Sequence, residues 1–240
     1  MRKPLLIAGG AALLLLIVGG AGAYLYFFSN LRSAPAALTL PTASPASSPM
    51  TATTASTLAG NWTVSQGSQA GYRVTEQFAG QASPHQAVAR TTAVTGSVTA
   101  QQGSSAMQLT ALTFTAQLAS LTSQDTVAGY SVTNRDRIVS QALSVSHYPT
   151  ATFVGQAVDL PAGLESGQTV SVNIPGQLTI HGTTQTVQMV VQVKLNGSQV
   201  EAVGSTTFDM TQFGITKPTQ PFVTPQSTVT LEFQLVMVKS

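Results

Sequence analysis

From Leu58 onward, apolar and polar residues alternate with a period of two, which is typical of β-strands that bury one face. The last stretch is the clearest, because its two faces separate cleanly. One face carries Val229, Leu231, Phe233, Leu235 and Met237, and the other carries Thr228, Thr230, Glu232 and Gln234. The same alternation runs through 170–180, 187–195 and 200–208. The pattern predicts about eight strands, and so long an antiparallel chain of strands favours a closed barrel over an open sheet with exposed edges.

Two turn signals predict how the late strands pair. Asn196-Gly197 is typical of a tight hairpin, and a two-residue loop there would place Val193 opposite Val200. His181-Gly182 predicts a second hairpin, in which Ile180 pairs with the residue after the glycine. In both hairpins apolar side chains then face apolar side chains.

Two irregularities interrupt the strands. Leu109 and Leu112 fall on opposite parities, so one residue near Thr110 or Ala111 must be extra, which predicts a β-bulge. Between the early and late strands, Thr133 or Asn134 can cap a short helix that ends before Tyr148-Pro149. The apolar residues at helical spacing in this helix are Ile138, Ala142 and Leu143.

The first 57 residues have a different composition from the strands. Leu5 to Phe28 is an uncharged run of 24 residues, and as a helix it would span roughly 36 Å, enough to cross a bilayer. Arg2 and Lys3 precede it, which predicts a cytoplasmic N-terminus and an extracytoplasmic remainder in the cell membrane. The alternative is a signal peptide cleaved at Ala21-Gly22-Ala23, after which the domain would be secreted.

The predicted organisation therefore has three parts. Residues 1–28 form a single transmembrane anchor with a cytoplasmic tip at 1–4. Residues 29–57 form an Ala/Ser/Thr/Pro-rich linker, which we expect to be a disordered spacer. Residues 58–240 form the β-barrel domain.

Charge and cysteine content exclude several classes of function. Arg2, Lys3 and Arg32 are three of the ten basic residues, so seven basic residues face eight acidic ones from residue 58 onward. This domain has no basic footprint for nucleic acid. The chain contains no cysteine and three scattered histidines, and their spacing matches no metal-ligand or catalytic motif. We expect no metal, no cofactor and no enzymatic activity.

Two opposite charges are predicted to point into the barrel. Glu76 shares its parity with Tyr72 and other apolar residues, and Arg90 shares its parity with a run of valines. A loop centred near Ser83 would place Glu76 directly opposite Arg90. One interpretation is a salt bridge that closes one end of the barrel. The other is a polar anchor for a lipid headgroup at the cavity mouth, in which Arg90 binds a phosphate or carbonyl group.

Four segments resemble, in order and spacing, the YceI-like family. They are Asn134-Arg135-Asp136, Ser146 to Phe153 (SHYPTATF), Gly176 to Thr184 (GQLTIHGTT) and Asp209 to Ile215 (DMTQFGI). The resemblance covers nearly all of 60–238 and implies an eight-stranded antiparallel, lipocalin-like barrel around an apolar cavity. It also implies that the protein binds a long isoprenoid or other amphiphilic lipid there and is exported.

The chain departs from that family at two polar positions. Many members carry His-Ser on the first strands and Asp-x-His-Leu before the helix, where this chain reads Gly67-Ser68-Gln69 and Asp136-Arg137-Ile138-Val139. Polar ligand contacts made by those histidines do not carry over.

The predicted function is a membrane-tethered, extracytoplasmic binding protein that holds or carries an isoprenoid-type or other long-chain amphiphilic lipid in its barrel. The alternative is a structural or adhesive β domain with a solid core, displayed on a spacer. The predicted partners are the lipid and the membrane, through residues 5–28. Candidate ligand-binding residues are Tyr72, Glu76, Arg90, Phe114, Arg135, Phe153 and Phe213.

Overall fold

A computed structural model of the chain describes residues 32–41, 58–80, 83–127, 129–218 and 220–240. The predicted membrane span, residues 5–28, lies outside these ranges. Within them, no helix combines the length and the apolar character needed to cross a bilayer.

The described residues form fourteen β-strands, one α-helix and three short 3-10 helices. The strands are β1 (Arg32–Ser33), β2 (Gly60–Val64), β3 (Gln69–Phe78), β4 (His85–Thr91), β5 (Val94–Gln102), β6 (Met107–Gln117), β7 (Thr122–Ser123), β8 (Thr126–Val127), β9 (Thr150–Gly155), β10 (Val158–Asp159), β11 (Val170–Ile180), β12 (Thr183–Asn196), β13 (Gln199–Asp209) and β14 (Val223–Lys239). Helix α1 is Val132–Ala142, and the 3-10 turns are Leu118–Ser120, Leu164–Ser166 and Met210–Phe213.

The predicted eight-stranded antiparallel barrel is confirmed. Strands β2 and β3 both pair with the same edge of β14, one after the other, and together act as one long bent strand. On their other edge, β2 pairs with β5 and β3 pairs with β4, so β4 and β5 also act as one bent strand. The sheet then continues through β6, β9, β11, β12 and β13. Pairing of β13 with β14 closes it.

The bulge and one of the two predicted turns are confirmed. Thr110 is the extra residue, because Leu109 pairs with Ala100 and Ala111 pairs with Thr99. The β11–β12 hairpin turns at His181-Gly182, as expected. Both residues of that turn have positive φ, which is the geometry of the tight turns that match strand twist.

The register predicted for the next hairpin is wrong by two residues. Its loop is Gly197-Ser198, and Val193 pairs with Ala202 instead of Val200. A shift of two preserves the parity of every side chain, so alternation alone could not distinguish the two registers.

The position of the helix cap also differs from the prediction. Helix α1 begins two or three residues earlier than expected, because the cap is Ser131, whose hydroxyl accepts from the Asn134 N–H at 3.3 Å. The helix ends at Ala142.

Part of the segment predicted to be a disordered spacer is bound to the barrel. Residues Arg32–Ser33 pair with β8, and residues 34–41 follow the outer wall. There the backbone of Pro35 and Ala36 accepts hydrogen bonds from Arg73, and Ala36 also accepts one from Arg90 at 2.8 Å. We call residues 32–41 the docked segment. It has no core of its own, and its order comes from these contacts.

The docked segment covers a charge cluster on the outer face of the barrel. Glu232 accepts from Arg73 Nε at 2.7 Å and from Arg90 at 2.8 Å, and its carboxylate also accepts from the Leu38 N–H at 3.3 Å. Glu232 is therefore only 3% exposed, although it lies on the face that was predicted to be polar. Gly71 pairs with Glu232 on one neighbouring strand and with Arg90 on the other. A Cβ at this position would lie 2.9 Å from the Arg90 Cγ, so the glycine leaves room for the arginine side chain.

Replacing Glu232 should destabilise both the barrel wall and the docked segment. We expect Glu232→Gln to lower the free energy of unfolding by about 2–4 kcal/mol, because it leaves two neighbouring guanidinium groups without their counter-charge. Urea unfolding measures this loss. Thr228→Ala, an exposed change on the same strand, is the control. Equal stability of the two variants would contradict the assigned role of Glu232.

Candidate functional site

The apolar core of the barrel encloses two adjoining cavities. Their volumes are about 120 Å³ and about 150 Å³. Four residues line both of them, so the cavities meet end to end at a waist formed by Ala70, Ala116, Ala151 and Leu231. Three of these four side chains are alanines, which leave room between the two spaces.

The first cavity is almost entirely apolar. Its lining includes the predicted residues Phe114 and Phe153. The ring of Phe153 lies against Gly176, where a Cβ would be 2.4 Å from the ring. Trp62 lines the same cavity, and its indole N–H donates to the carbonyl of Leu58 at 2.8 Å.

Side-chain exposure gives independent evidence for the internal space. Tyr72, Phe114, Leu231 and Phe233 point inward and line the cavities, yet each is only part-buried. Their accessible surface is therefore the surface of the cavities.

The second cavity carries the polar groups of the interior. It extends under helix α1 and toward Ile215, Pro218 and Gln220. Tyr72, Glu76, Tyr130 and Arg135 line it together with apolar side chains. Three of these were predicted as ligand-binding residues, and the structure brings them together at one end of the barrel.

Arg135 is the centre of a buried charge cluster. It donates from Nη1 to Glu76 Oε2 at 3.1 Å and from Nη2 to Asp125 Oδ1 and to the Ser123 hydroxyl. Asp125 also accepts from the Val88 N–H at 3.0 Å, and its second oxygen lies 2.7 Å from His85 Nε2. The cluster joins helix α1, strand β3 and the segment that precedes β8.

The two carboxyl groups of this cluster differ in their electrostatics. Burial raises the pKa of Glu76, although the charge and the hydrogen bond of Arg135 act to lower it. Burial also acts to raise the pKa of Asp125, but hydrogen bonds from His85, Arg135 and the Val88 N–H outweigh it and lower that pKa to about 2. Asp125 is thus a carboxylate at neutral pH, so the His85 Nε2 must donate to it.

Desolvation acts on the phenol and guanidinium groups of the cavity too. Burial raises the pKa of Tyr72 well above its usual range, so this phenol keeps its proton. Burial would lower the pKa of Arg135, yet the hydrogen bond to Asp125 and the charge of Glu76 raise it. The cavity end therefore presents a neutral donor and a permanent cation.

One polar atom of the cluster is unsatisfied. Among the residues that the structure describes, the Nε of Arg135 has no hydrogen-bond partner, although the side chain is only 4% exposed. An orphaned buried donor carries a desolvation cost, so it marks a place where an acceptor is expected.

Two predicted site residues, Arg90 and Phe213, line neither interior cavity. Arg90 points out of the barrel to Glu232, and the residue that pairs with Glu76 across the strands is His85. The prediction of a Glu76–Arg90 pair is therefore wrong. The hairpin is centred between residues 80 and 81 instead of near Ser83, which turns Arg90 to the opposite face.

Phe213 is also placed differently from the cavity-lining aromatics. It is fully buried against Phe208, with ring centroids 4.8 Å apart, and it lines neither of the two interior cavities. Its role is core packing near the 210–213 turn.

His85 and Asp125 were not among the site residues predicted from the sequence. His85 could have been found from the correct hairpin centre, since it pairs directly with the inward Glu76. Asp125 lies between two-residue strands, where alternation gives no signal. Within the described ranges, no group of three or more His, Cys, Asp or Glu side chains could hold a metal ion.

Replacing Arg135 should leave the carboxyl groups of Glu76 and Asp125 without their positively charged partner. We expect Arg135→Met to lower the free energy of unfolding by about 3–5 kcal/mol, because Glu76 and Asp125 lose their shared partner in a dry interior. Thermal and urea unfolding measure it. Arg137→Met, two residues along the same helix but exposed, should cost less than about 1 kcal/mol. Similar losses in the two variants would argue against the cluster.

Acid stability should depend on Asp125. Because its pKa falls from 3.8 to about 2 on folding, its contribution of about 2 kcal/mol is present above pH 4 and is lost as the pH falls toward 2. Asp125→Asn should remove this acid-dependent loss.

Glu76 provides the matched comparison for the acid experiment. Because folding raises the pKa of Glu76, this group stabilises the folded protein at pH values below its ordinary pKa of 4.5, and the stabilisation is lost as the pH rises. Glu76→Gln should therefore keep the acid-dependent loss that Asp125→Asn removes. Unfolding followed from pH 2 to 7 tests both variants, and parallel curves for the two would contradict the assignment.

The fold and sequence match one protein family. A family model described as the YceI-like domain matches residues 62–237. No curated protein matches the chain significantly.

Solved structures with a similar fold come from several bacteria. A polyisoprenoid binding domain from Saccharophagus degradans, implicated in plant cell wall breakdown, is 12% identical, with a TM-score of 0.52 over 76% of this chain and 99% of that chain. BcnA from Burkholderia cenocepacia is 21% identical, with a TM-score of 0.47 over 69% of this chain and 95% of that one. At 12% identity, the first likeness shows a shared fold. Because the family model spans most of the barrel and more than half of the sequence, this chain belongs to the YceI-like family.

Proposed function

We propose that the barrel binds one long-chain amphiphilic lipid of the isoprenoid type. The tail would lie in the two apolar cavities, and the polar end would contact Arg135 and Tyr72. The observation that carries this proposal is the pair of cavities that meet at an alanine-lined waist, with polar groups at one end only. A space that is apolar over most of its length and polar at one end matches the distribution of apolar and polar groups in an amphiphilic lipid.

The shape of the space favours a narrow, flexible ligand. Each cavity alone is smaller than the roughly 300–1,000 Å³ of usual small-molecule pockets. Ala116 and Ala151 pair on neighbouring strands and line the waist together with Ala70 and Leu231, so a hydrocarbon chain that passes over them can occupy both cavities. A rigid, bulky ligand could not.

The orphaned Nε of Arg135 supports the placement of the polar end. Its two Nη atoms are held by Glu76, Ser123 and Asp125, which leaves Nε to donate to a ligand acceptor. A phosphate, carbonyl or hydroxyl oxygen would satisfy it. The polyisoprenoid binding named for the domain of Saccharophagus degradans agrees with this ligand class.

A solid structural or adhesive domain explains the interior less well. An apolar cavity of about 120 Å³ costs on the order of 3 kcal/mol by the relation measured for cavity-forming mutants. A domain that acts only through its outer surface gains nothing from keeping two such cavities. A binding protein recovers the cost when the ligand fills them.

We also propose that the barrel is held outside the cell membrane. The support is the apolar run from Leu5 to Phe28 with Arg2 and Lys3 before it. An anchor would keep the cavity close to the source of its lipid. The family and the interior chemistry suggest binding rather than catalysis.

Blocking the waist should abolish binding. We expect Ala116→Phe to lower the amount of copurifying lipid, and the affinity for added polyprenyl lipid, by at least about tenfold, because an aromatic ring closes the passage between the cavities. Native mass spectrometry and lipid extraction of the full-length protein measure this. Ala111→Phe, an exposed change on the same strand, is the matched control.

The same titration tests the polar end. Arg135→Lys keeps the charge but removes Nε, so binding should weaken while the protein stays folded. Unsubstituted protein that carries no lipid and takes up no added polyprenyl lipid would refute the proposal.

A further inference from the structure

The docked segment enters the barrel domain at a defined place. Arg32 pairs with Val127, and Val127 packs in a small cluster with Phe78, Val223 and Tyr130. The chain then runs along the wall toward Glu232. Arg32 therefore lies at the end of the barrel where the second cavity is found.

That end carries exposed aromatic side chains. Phe222 is 49% exposed, and its ring is 5.9 Å from the ring of Tyr130. Tyr148 is 41% exposed and lies beside the 181–182 turn, at the same end of the barrel. Lys217 is exposed in the loop that leads to Phe222. Aromatic and basic residues together are typical of protein surfaces that contact a bilayer interface.

The connection to the apolar run is short. Only Ser29, Asn30 and Leu31 separate Phe28 from Arg32. Four residue steps span at most about 14 Å even when fully extended. If Leu5 to Phe28 crosses a bilayer, Arg32, which pairs with Val127 at the barrel end, must lie within that distance of the end of the membrane span.

We propose that this end of the barrel, formed by Val127, Tyr130 and Phe222, rests on the outer surface of the membrane that holds residues 5–28, with Phe222 in the lipid interface. The inference rests on the membrane anchor proposed above. The surface that this end contacts is the bilayer. The docked segment fixes which end of the barrel faces the membrane, and the short connection from Phe28 to Arg32 fixes how far that end lies from it.

The orientation has a consequence for the ligand. The second cavity is lined by Tyr130, Gln220 and Val223, which belong to the same end. A lipid can thus pass between the bilayer and the cavity at the surface where the two meet. The polar cluster of Arg135 lies at this end, so the headgroup stays nearest the membrane.

A fluorescence experiment tests the orientation without a bound ligand. The full-length protein is reconstituted into phosphatidylcholine–phosphatidylglycerol vesicles that contain phosphatidylcholine brominated on its acyl chains. The single tryptophan, Trp62, is 2% exposed and serves as an internal reference. We expect the added emission of Phe222→Trp to fall about twofold on changing to brominated lipid, because an indole in the lipid interface, where aromatic residues of membrane proteins concentrate, lies near the bromine atoms that quench it.

The matched control is Ser198→Trp, an exposed change in the hairpin loop at the opposite end. Its emission should be unaffected by bromine. If the protein floats with the vesicles but Phe222→Trp is quenched no more than Ser198→Trp, the orientation is wrong while the anchor stands. Protein that does not float with the vesicles overturns both the anchor and the orientation. Neither outcome depends on whether the cavity binds lipid.

Discussion

The ion pairs of Arg135 are the constraint on which the functional end of the barrel depends. A guanidinium group keeps its charge in the interior, so it must have carboxylates around it. Glu76 comes from the wall and Asp125 from the segment before β8, and both converge on one side chain of helix α1. The helix is thereby held over the cavity by charge as well as by apolar contact. A barrel with an open interior cannot rely on core packing alone to fix its cap.

A second buried charge cluster sets the position of the chain that precedes the barrel. Glu232 needs two arginines and a backbone N–H because the docked segment excludes water from it. The two clusters lie on opposite sides of the wall, since Glu76 and Arg73 have opposite parity on β3. One strand therefore couples the inner polar end of the cavity to the outer attachment of the docked segment.

Alternation was sufficient to predict the strands and their inner faces, because a period of two assigns each side chain to a face. The closed barrel followed from the number of strands and from the resemblance to the YceI-like family. Alternation could not predict which strands lie opposite at a given residue: shifting the β12–β13 hairpin by two leaves the faces unchanged. The hairpin after β3 shows what a wrong centre does. Moving its centre from residue 83 to a point between 80 and 81 turns Arg90 outward and puts His85 opposite Glu76. The candidate site was predicted in part: Tyr72, Glu76 and Arg135 line the second cavity, whereas Arg90 does not.

The docked segment was beyond sequence reasoning for a different reason. Its composition, rich in alanine and proline, predicts an extended chain without a core. Such a chain becomes ordered only when another surface supplies the partners, and here the partners are the guanidinium groups of Arg73 and Arg90. Local composition describes what a segment can do alone. Glu232 is buried on an otherwise polar strand face, which shows that another segment covers it. In related barrels, a single buried carboxylate on an outer strand face indicates a similar covering segment.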